Sequence, residues 1–222
     1  MILPAPLTAA FRDALTFWLP MACVGCGTLD VALCDECREH LAPGLMRRTL
    51  DSSLPVVGAL AFDGVAARVI RAFKEEGRTS LARDLAPALA AALAASVPPG
   101  ARVTTVPSSR AAFRRRGYRP VELLMRRAGG RPERLLGLRG APADQRGLGG
   151  RERRENVRGV FQARAALSGT VVVVDDVVTT GATLAEAARA LRAAGATDVR
   201  AVALAHTPRR GGSAGEPEVI RT

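Results

Sequence analysis

Thirteen consecutive residues combine acids, hydroxyls and a glycine in an order that suits a binding site: Val171-Val-Val-Val-Asp-Asp-Val-Val-Thr-Thr-Gly-Ala-Thr183. The β-branched start of this run predicts a strand, Thr170–Val174, that is buried on both faces and ends in the carboxylates of Asp175 and Asp176. In open parallel sheets, ligands bind beyond the carboxyl ends of the strands. We therefore expect these two acids to lie at a binding edge.

The loop after the acids offers the groups that bind a phosphate. Thr179, Thr180 and Thr183 supply hydroxyls, and Gly181 lets the backbone approach a ligand closely. The predicted helix Leu184–Ala194 adds free N–H groups and a positive dipole end at the same place. An anion site beside acids that can accept hydrogen bonds from hydroxyls indicates a ligand with both a phosphate and a diol. The alternative interpretation, a strand that ends in acids without a ligand and is followed by an ordinary helix cap, explains only Thr183.

Four cysteines lie within fifteen residues as two CxxC pairs, Cys23/Cys26 and Cys34/Cys37. Two such pairs favour a tetrahedral, closed and therefore structural zinc site. Disulfides are the alternative, but nothing in the chain marks a secreted protein. A redox CxxC needs only one pair. His40 is a further possible ligand, although a histidine at such a position is more often polar surface.

Positive charge is concentrated in the middle of the chain, whose net charge is +11. Arg102–Arg158 contains sixteen arginines against five carboxylates, whereas Lys74 is the only lysine of the chain. Such a field attracts phosphorylated metabolites, nucleic acid or anionic lipid, unless the arginines only solvate exposed faces. Val106–Pro120 begins where a predicted strand ends, and Gln145–Phe161 is expected to be a mobile basic flap.

Apolar spacing and turn residues predict the elements that position these groups. Two helices are expected between Leu54 and Ala95, with apolar faces Val65, Val69, Ile70 and Phe73, and Leu81, Leu85 and Leu89. Further predicted elements are strands at Arg102–Pro107 and Val199–Leu204 and helices at Leu7–Leu19 and Pro120–Arg127. Strand, helix and strand over residues 170–204 predict a right-handed crossover in a parallel sheet.

The 222 residues, 48% of them hydrophobic, suffice for one domain and a small extra module. We expect an N-terminal helix and a four-cysteine zinc module at residues 1–50, the main domain at 51–207 and a disordered tail at 208–222. No segment has the eighteen or so uninterrupted apolar residues that a membrane span requires. The start of the chain also lacks the basic region of a signal peptide. These features favour a cytoplasmic location.

The run of thirteen residues resembles the 5-phosphoribosyl-1-pyrophosphate motif of type I phosphoribosyltransferases. The resemblance implies that Asp175 and Asp176 bind the ribose hydroxyls and carry the catalytic role. It also implies Mg²⁺ held largely by the pyrophosphate of the ligand and by water. The residues that would cradle the 5-phosphate are Thr179, Thr180, Gly181, Ala182 and Thr183.

The order of all the motifs resembles the ComF family. It implies an α/β fold of the type I phosphoribosyltransferase class, a Rossmann-like parallel sheet flanked by helices, with a small N-terminal zinc-binding module. The residues that match the two basic segments, and would face the pyrophosphate, are Ser108, Ser109, Arg110, Arg116, Gly117, Tyr118, Gln145, Arg151 and Asn156. One departure is that Arg119-Pro120 replaces the usual Asn-Gln, so Pro120 lacks a backbone donor.

Two functions fit this sequence. The first is transfer of a phosphoribosyl group, with loss of pyrophosphate, to an acceptor that the sequence does not identify. The second is a non-catalytic accessory protein that keeps the phosphoribosyl pocket and binds single-stranded nucleic acid; the ComF resemblance implies a role in DNA uptake during natural transformation. A metabolite sensor would use the same pocket without turnover. No aromatic-rich region suited to stacking a purine is evident, which disfavours ordinary base salvage.

Overall fold

The computed structural model describes residues 21–50, 53–139 and 159–208 and the backbone of Glu218–Val219. The expected helix Leu7–Leu19 and the expected basic flap up to Arg158, with its residues Gln145, Arg151 and Asn156, lie outside these residues, whereas residues 159–161 at the end of the flap are described. The strands are β1 (Met46–Leu50), β2 (Leu54–Ala61), β3 (Arg102–Thr105), β4 (Leu136–Leu138), β5 (Phe161–Ala163), β6 (Thr170–Val178), β7 (Asp198–His206) and β8 (Glu218–Val219).

Six helices accompany the strands in the described part of the chain: α1 (Asp35–Glu39), α2 (Gly64–Glu75), α3 (Ala82–Ala94), α4 (Arg110–Arg116), α5 (Pro120–Arg127) and α6 (Ala182–Ala193). A 3₁₀ turn, Thr79–Leu81, leads into α3. The helices predicted from apolar spacing, α2 and α3, are confirmed, and their predicted faces are buried apart from the half-exposed Val65. The helix predicted at Pro120–Arg127 is confirmed with those bounds, because proline favours the first helical turn.

The central sheet has the strand order β3-β6-β7-β2-β1-β8. Strands β3, β6, β7 and β2 are parallel, and β1 and β8 are antiparallel to their neighbours. The valines of β6 alternate between two buried layers, one formed with α2, α3 and α5 and the other with α6 and the β4–β5 hairpin. The predicted α/β class, with a crossover through α6 and helices on both faces, is confirmed.

Strand β6 is longer than the sequence predicts. Its parallel pairing with β7 continues through Val177–Ala205 and Val178–His206. Asp175 and Asp176 therefore lie inside the strand, and the expectation that the strand ends before them was wrong. The backbone can remain in the sheet there because both carboxylates have hydrogen-bond partners within the protein.

The sequence did not predict the strands β1, β2, β4, β5 and β8 or the helices α1 and α4. β1 lies before residue 51, at which the main domain was expected to begin, and it pairs with β2. β8 lies in the tail that was expected to be disordered, and it pairs with β1. The helix α4 begins where the Ser109 hydroxyl accepts a hydrogen bond from the Ala112 N–H at 3.1 Å, and it ends at Gly117, whose φ is 75°.

No helix in the described part of the chain is long and apolar enough to span a membrane.

Candidate functional site

The carboxyl ends of the four parallel strands meet at one edge of the sheet. These ends are Ala61, Thr105, Val178 and His206. The segment that follows Thr105 leads into the arginine-rich helix α4, and the segment that follows Val178 leads into α6. The fold therefore brings the start of the first basic segment and the threonine–glycine loop to the same edge, as the sequence predicts.

Asp176 faces the layer that contains α2, and Lys74 of that helix forms an ion pair with it. The Lys74 ammonium lies 2.9 Å from Oδ1 and 2.7 Å from Oδ2 of Asp176, and the Val177 N–H donates to Oδ1 at 2.7 Å. Asp176 is 8% exposed, so the ion pair offsets the cost of burying its charge. Sequence reasoning missed this role, because Lys74 is 102 residues away in the chain.

Asp175 is half-buried on the opposite face of the strand. Burial, together with the neighbouring charge of Asp176, raises the pKa of Asp175 from 3.8 to about 7. A hydrogen bond from the Asp176 N–H at 2.8 Å and the charge of Lys74 act in the other direction. The acidic pair, Asp175 and Asp176, thus combines one carboxylate in an ion pair with a lysine and one carboxyl whose raised pKa lets it exchange a proton near neutral pH.

The threonine–glycine loop after β6 has an exposed part and a covered part. Thr179 and Thr180 are exposed, and the Thr180 hydroxyl accepts a hydrogen bond from the Ala182 N–H at 3.3 Å. Gly181 is buried with φ 81°, and a Cβ there would overlap the Leu50 side chain. The left-handed backbone favours glycine here, and a larger residue would in addition require the Leu50 side chain to move.

Arg48 adds a cation beside this loop, since its Nη2 donates to the Thr179 carbonyl at 3.4 Å. The α6 helix begins directly after Gly181, whose N-cap position supplies no capping side chain, and the Thr180 hydroxyl engages the first N–H of the helix. A helix that starts in this way presents backbone N–H groups to an anion. The phosphate cradle expected from the sequence falls on this loop and helix, and Thr183 lies in the first turn of the helix.

The last turn of α2 connects the acidic pair to the first basic segment. The Tyr118 hydroxyl donates a hydrogen bond to the Phe73 carbonyl, and the two rings lie 5.8 Å apart. Arg116 Nη2 lies 3.3 Å from a Glu75 carboxylate oxygen. Lys74, which lies between Phe73 and Glu75, forms the ion pair with Asp176. Three consecutive residues of α2 therefore contact both the acidic pair and the first basic segment.

The other predicted residues of the first basic segment lie around α4. Ser108 and Ser109 are half-buried, and Ser109 is occupied in capping the helix. Arg110 is exposed at the first position of the helix, and Gly117 supplies the left-handed residue that ends it. The side chain of Arg116 is only 13% exposed, so it faces the protein rather than the solvent.

The outer face of α4 carries charge and an exposed ring. Arg114 and Arg115 are exposed, and Phe113 is 39% exposed. The Arg119 guanidinium lies 4.8 Å from the centre of the Phe113 ring, a cation–π geometry. An aromatic ring among arginines is the kind of surface on which an unpaired base can stack.

The four cysteines form a compact cluster. Their sulfurs all lie within 4.8 Å of one another, with Cys23–Cys34 at 3.7 Å and Cys26–Cys34 at 3.6 Å. Four sulfurs bound to one zinc at about 2.3 Å would be about 3.8 Å apart, and a disulfide would need about 2.05 Å. The cluster, completed by Cys37, therefore fits a tetrahedral metal site, and all four cysteines are free thiols.

Backbone hydrogen bonds favour the thiolate form of Cys23, whereas burial and the neighbouring thiols raise the pKa of Cys37. Burial raises the pKa of the Cys23 thiol, but hydrogen bonds from the backbone of Cys34, Cys26 and Gly25 outweigh it and lower the pKa to about 6. His40 is exposed, and it does not belong to the cluster.

The cysteine module, residues 21–45, packs on the main domain. Arg68 of α2 donates to the Gly25 carbonyl at 2.7 Å, and Arg38 lies 2.8 Å from Asp84 of α3. Cys23 and Cys37 belong to the same buried cluster as the core of the domain. A metal bound by the cysteines would therefore stabilise the surface on which α2 and α3 rest.

Comparison with known proteins finds one relevant family. The phosphoribosyl transferase domain matches residues 163–219, a stretch that begins at the end of β5 and includes the acidic pair, the threonine–glycine loop and α6. No curated protein matches the chain. The orotate phosphoribosyltransferase from Aeropyrum pernix is a similar solved structure, with 20% identity over 77% of this chain and 91% of that one and a TM-score of 0.32.

The sheet order, the crossover through α6 and the family match together define an α/β fold of the phosphoribosyltransferase type. To this fold the chain adds an N-terminal cluster of four cysteines that fits a metal.

Proposed function

We propose that this protein binds 5-phosphoribosyl-1-pyrophosphate, or a related ribose 5-phosphate ligand, as a phosphoribosyltransferase-like member of the ComF family. The observation that carries the proposal is the arrangement on β6, where the acidic pair is followed by a glycine-containing loop and a helix whose N-cap residue is a glycine. The family match over the same residues supports it.

Each part of the ligand has a partner at the carboxyl edge. Asp175 and Asp176 accept hydrogen bonds from the ribose hydroxyls, and the backbone N–H groups and hydroxyls of Thr179–Thr183 bind the 5-phosphate. Mg²⁺ fits this chemistry as an ion held by the pyrophosphate and water, because it keeps several waters and takes few protein ligands. Leu50 and Arg48 must give way for a phosphate to reach Gly181 and Thr179, since both now lie against the loop.

The pyrophosphate then lies towards α4. Ser108, Ser109 and Arg110 follow β3 at the same edge, and Arg116 offers a guanidinium whose Nε is buried without a hydrogen-bond partner in the described residues. A buried unpaired donor is costly, which supports a role for Arg116 in binding an anion. Cations placed there stabilise the charge that develops on a departing pyrophosphate.

For transfer, the chain supplies the position of the sugar and a proton-exchanging group. The acidic pair fixes the ribose so that an acceptor can approach the carbon that bears the pyrophosphate. The pKa of Asp175, raised by burial to about 7, suits a group that exchanges a proton near neutral pH. The acceptor itself is left open.

The four cysteines are proposed to hold one structural zinc ion. Support comes from sulfur separations that match a tetrahedral site and from the closed set of four protein ligands. A closed site leaves no position for a substrate, so the zinc stabilises the module rather than taking part in transfer.

A second candidate function is a non-catalytic accessory protein for single-stranded DNA, with the role in DNA uptake that the ComF resemblance implies. The observation in favour is the outer face of α4, where Arg119 lies over the exposed Phe113 beside Arg114 and Arg115. A strand would bind there through phosphate contacts and base stacking, with little sequence preference.

Calorimetric titration of the purified protein distinguishes the two functions. The titrants are 5-phosphoribosyl-1-pyrophosphate, Mg²⁺ and a single-stranded DNA oligomer, each alone and in combination. Saturable binding of the sugar ligand that depends on the acidic pair supports the first function, and binding of the oligomer alone favours the second.

A further inference from the structure

A cavity of about 450 Å³ lies where the cysteine module meets the carboxyl ends of β2 and β7 and the start of α2. Its mouth is formed by exposed residues of the module and of α2, and its floor is buried. The lining residues that matter most are His40, Leu60, Asp63, Ala66, Arg68 and His206. None of them takes part in the proposed phosphoribosyl site, so the cavity calls for a separate explanation.

His206 lies at the floor of the cavity and is 3% exposed. Neither of its ring nitrogens has a hydrogen-bond partner in the described part of the chain. The ring packs over Gly58, where a Cβ would come within 2.7 Å of Nδ1, so the glycine makes room for the imidazole. Burial and the charge of Arg48 lower the pKa of His206, and a neutral imidazole has one donor and one acceptor. Because unpaired buried polar groups are costly, this ring indicates a ligand that supplies both partners.

The first turn of α2 supplies hydrogen-bond donors to the cavity. Asp63 is the N-cap residue, but its side chain does not cap the helix, and the first intrahelical bond runs from the Ala67 N–H to the Asp63 carbonyl at 2.9 Å. Residues 64–66 line the cavity, and their N–H groups precede that bond, so the helix offers them no partner. Arg68, held through Nε by the Gly25 carbonyl at 2.7 Å, adds a cation. A ligand carboxylate suits these donors.

Asp63 adds an acidic group beside these donors. Its side chain is exposed at the mouth of the cavity and is not used in capping α2. A carboxylate in this position repels a simple anion, but it attracts a ligand that carries a cation next to its anionic group. Much of the remaining lining is apolar and includes Met46, Leu60 and Val65. The cavity thus combines donors for a carboxylate, an acceptor for an ammonium and an apolar wall.

We propose that this cavity binds an α-amino acid with an apolar side chain. The carboxylate of the ligand accepts hydrogen bonds from the first turn of α2 and from Arg68, and its ammonium donates to Asp63. His206 accepts from the ammonium with one ring nitrogen and donates to the carboxylate with the other. The side chain of the ligand packs on Leu60 and Val65. This site goes beyond the proposed function and does not depend on it.

Calorimetric titration of the full-length protein tests the ligand class. The probes are L-leucine and L-phenylalanine, and we expect at least one to bind with a Kd of about 1 mM or lower. Each probe has two matched analogues. Isocaproate and hydrocinnamate lack the amine, whereas isoamylamine and phenethylamine lack the carboxylate. Because the cavity has partners for both groups, each analogue should bind at least about tenfold more weakly than the amino acid from which it derives.

Two variants test the assigned residues. Asp63→Asn removes the charge of an exposed side chain, and His206→Phe keeps a ring but removes both nitrogens. Each should weaken binding of the amino acid by about tenfold or more. Glu76→Gln is the matched control, because it removes an exposed carboxylate at the other end of α2 and should bind as the wild type does. Asp63→Asn preserves the test if circular dichroism shows that His206→Phe folds poorly.

Three results would overturn the inference. The first is that the wild type binds neither amino acid. The second is that the analogues without an amine bind as tightly as the amino acids, which would indicate a simple anion site. The third is unchanged affinity in Asp63→Asn or in a folded His206→Phe protein. None of these results bears on the phosphoribosyl site, which uses other residues.

Discussion

The cysteine module and the carboxyl edge of the sheet are both collections of polar groups, but they differ in how those groups are satisfied. In the module, four sulfurs already lie at the separations that one metal requires. At the edge, the acidic pair and the threonine–glycine loop have partners within the protein. Lys74 holds Asp176, Arg48 holds the Thr179 carbonyl, and Leu50 covers Gly181.

The difference separates a structural centre from a binding site. A preassembled set of ligands binds its ion with little rearrangement and contributes that binding free energy to folding. Groups that are paired internally can be exchanged, because a ligand replaces contacts that already exist. The module should therefore respond to perturbation with a loss of stability, and the edge with a change of affinity.

The largest expected effect is on the cysteine module. We expect about one zinc ion per chain, and Cys37→Ser should lose the metal and lower the free energy of unfolding by more than about 3 kcal/mol, because the module packs on α2 and α3. Elemental analysis and thermal unfolding measure both effects. His40→Ala is the control and should retain zinc, since His40 lies outside the cluster. Freshly purified, reduced protein without metal would contradict the zinc proposal.

The acidic pair should show the opposite behaviour. Asp175→Asn with Asp176→Asn should weaken binding of the phosphoribosyl ligand by roughly 2 kcal/mol or more while the fold survives, since hydrogen bonds to charged groups are worth about 1.5–3 kcal/mol each. Calorimetric affinity and circular dichroism provide the two readouts. Asp198→Asn, at the opposite end of β7, is the control and should bind normally. Unchanged affinity in the double variant would contradict a role for the acidic pair in binding the ligand.

A smaller effect concerns pH. Because burial raises the pKa of Asp175 from 3.8 to about 7, the folded protein holds a proton there that the unfolded chain releases. This contribution to stability is complete below about pH 4 and is lost as the pH rises through about 7. A shift of this size corresponds to about 4 kcal/mol at most, and the partial exposure of Asp175 reduces it, so Asp175→Asn should flatten the decline by about 1–2 kcal/mol and be the more stable protein at pH 8. Denaturant unfolding at several pH values checks this, and parallel curves for the two proteins would disprove it.

The smallest effect is expected on the outer face of α4. If this face binds single-stranded DNA, log affinity should fall with log salt at about −0.7 per phosphate contact. Arg114→Glu with Arg115→Glu should make the slope shallower by about 1.4 and barely alter binding of the sugar ligand. Arg116 is left unchanged because its side chain is largely buried, whereas that of Arg115, which also pairs with Glu75, is exposed. Arg83→Glu on α3 is the charge control. Failure of the wild type to bind single-stranded DNA even at low salt would contradict the DNA proposal.

Local signals predicted much of this fold. The β-branched run correctly predicted the start of β6 at Thr170, and Pro120 correctly predicted the start of α5. The end of β6 was missed because two adjacent acids favour a strand end, and only the pairing with β7 keeps them in the sheet. The helix α4 was missed because Arg110–Arg116 has no apolar face, so capping by Ser109 and Gly117 determines it.

The site was also predicted only in part, because local signals reveal residues that are contiguous in sequence but not their partners from distant segments. The acids and the threonine–glycine loop are contiguous in sequence, so their chemistry can be recognised there. The partners that hold them come from distant segments. Lys74 lies 102 residues from Asp176, and Leu50 comes from a strand that was not predicted. The isolated lysine in an arginine-rich chain was the one available signal, and it did not indicate a partner.

The central claim is that the carboxyl edge binds a pyrophosphorylated ribose 5-phosphate through the acidic pair. The most direct measurement is a calorimetric titration of wild-type protein and the Asp175→Asn, Asp176→Asn variant with 5-phosphoribosyl-1-pyrophosphate and Mg²⁺. We predict saturable binding of about one ligand per chain to the wild type and a loss of at least about thirtyfold in the variant. No binding to the wild type, or equal binding to both proteins, would contradict the claim.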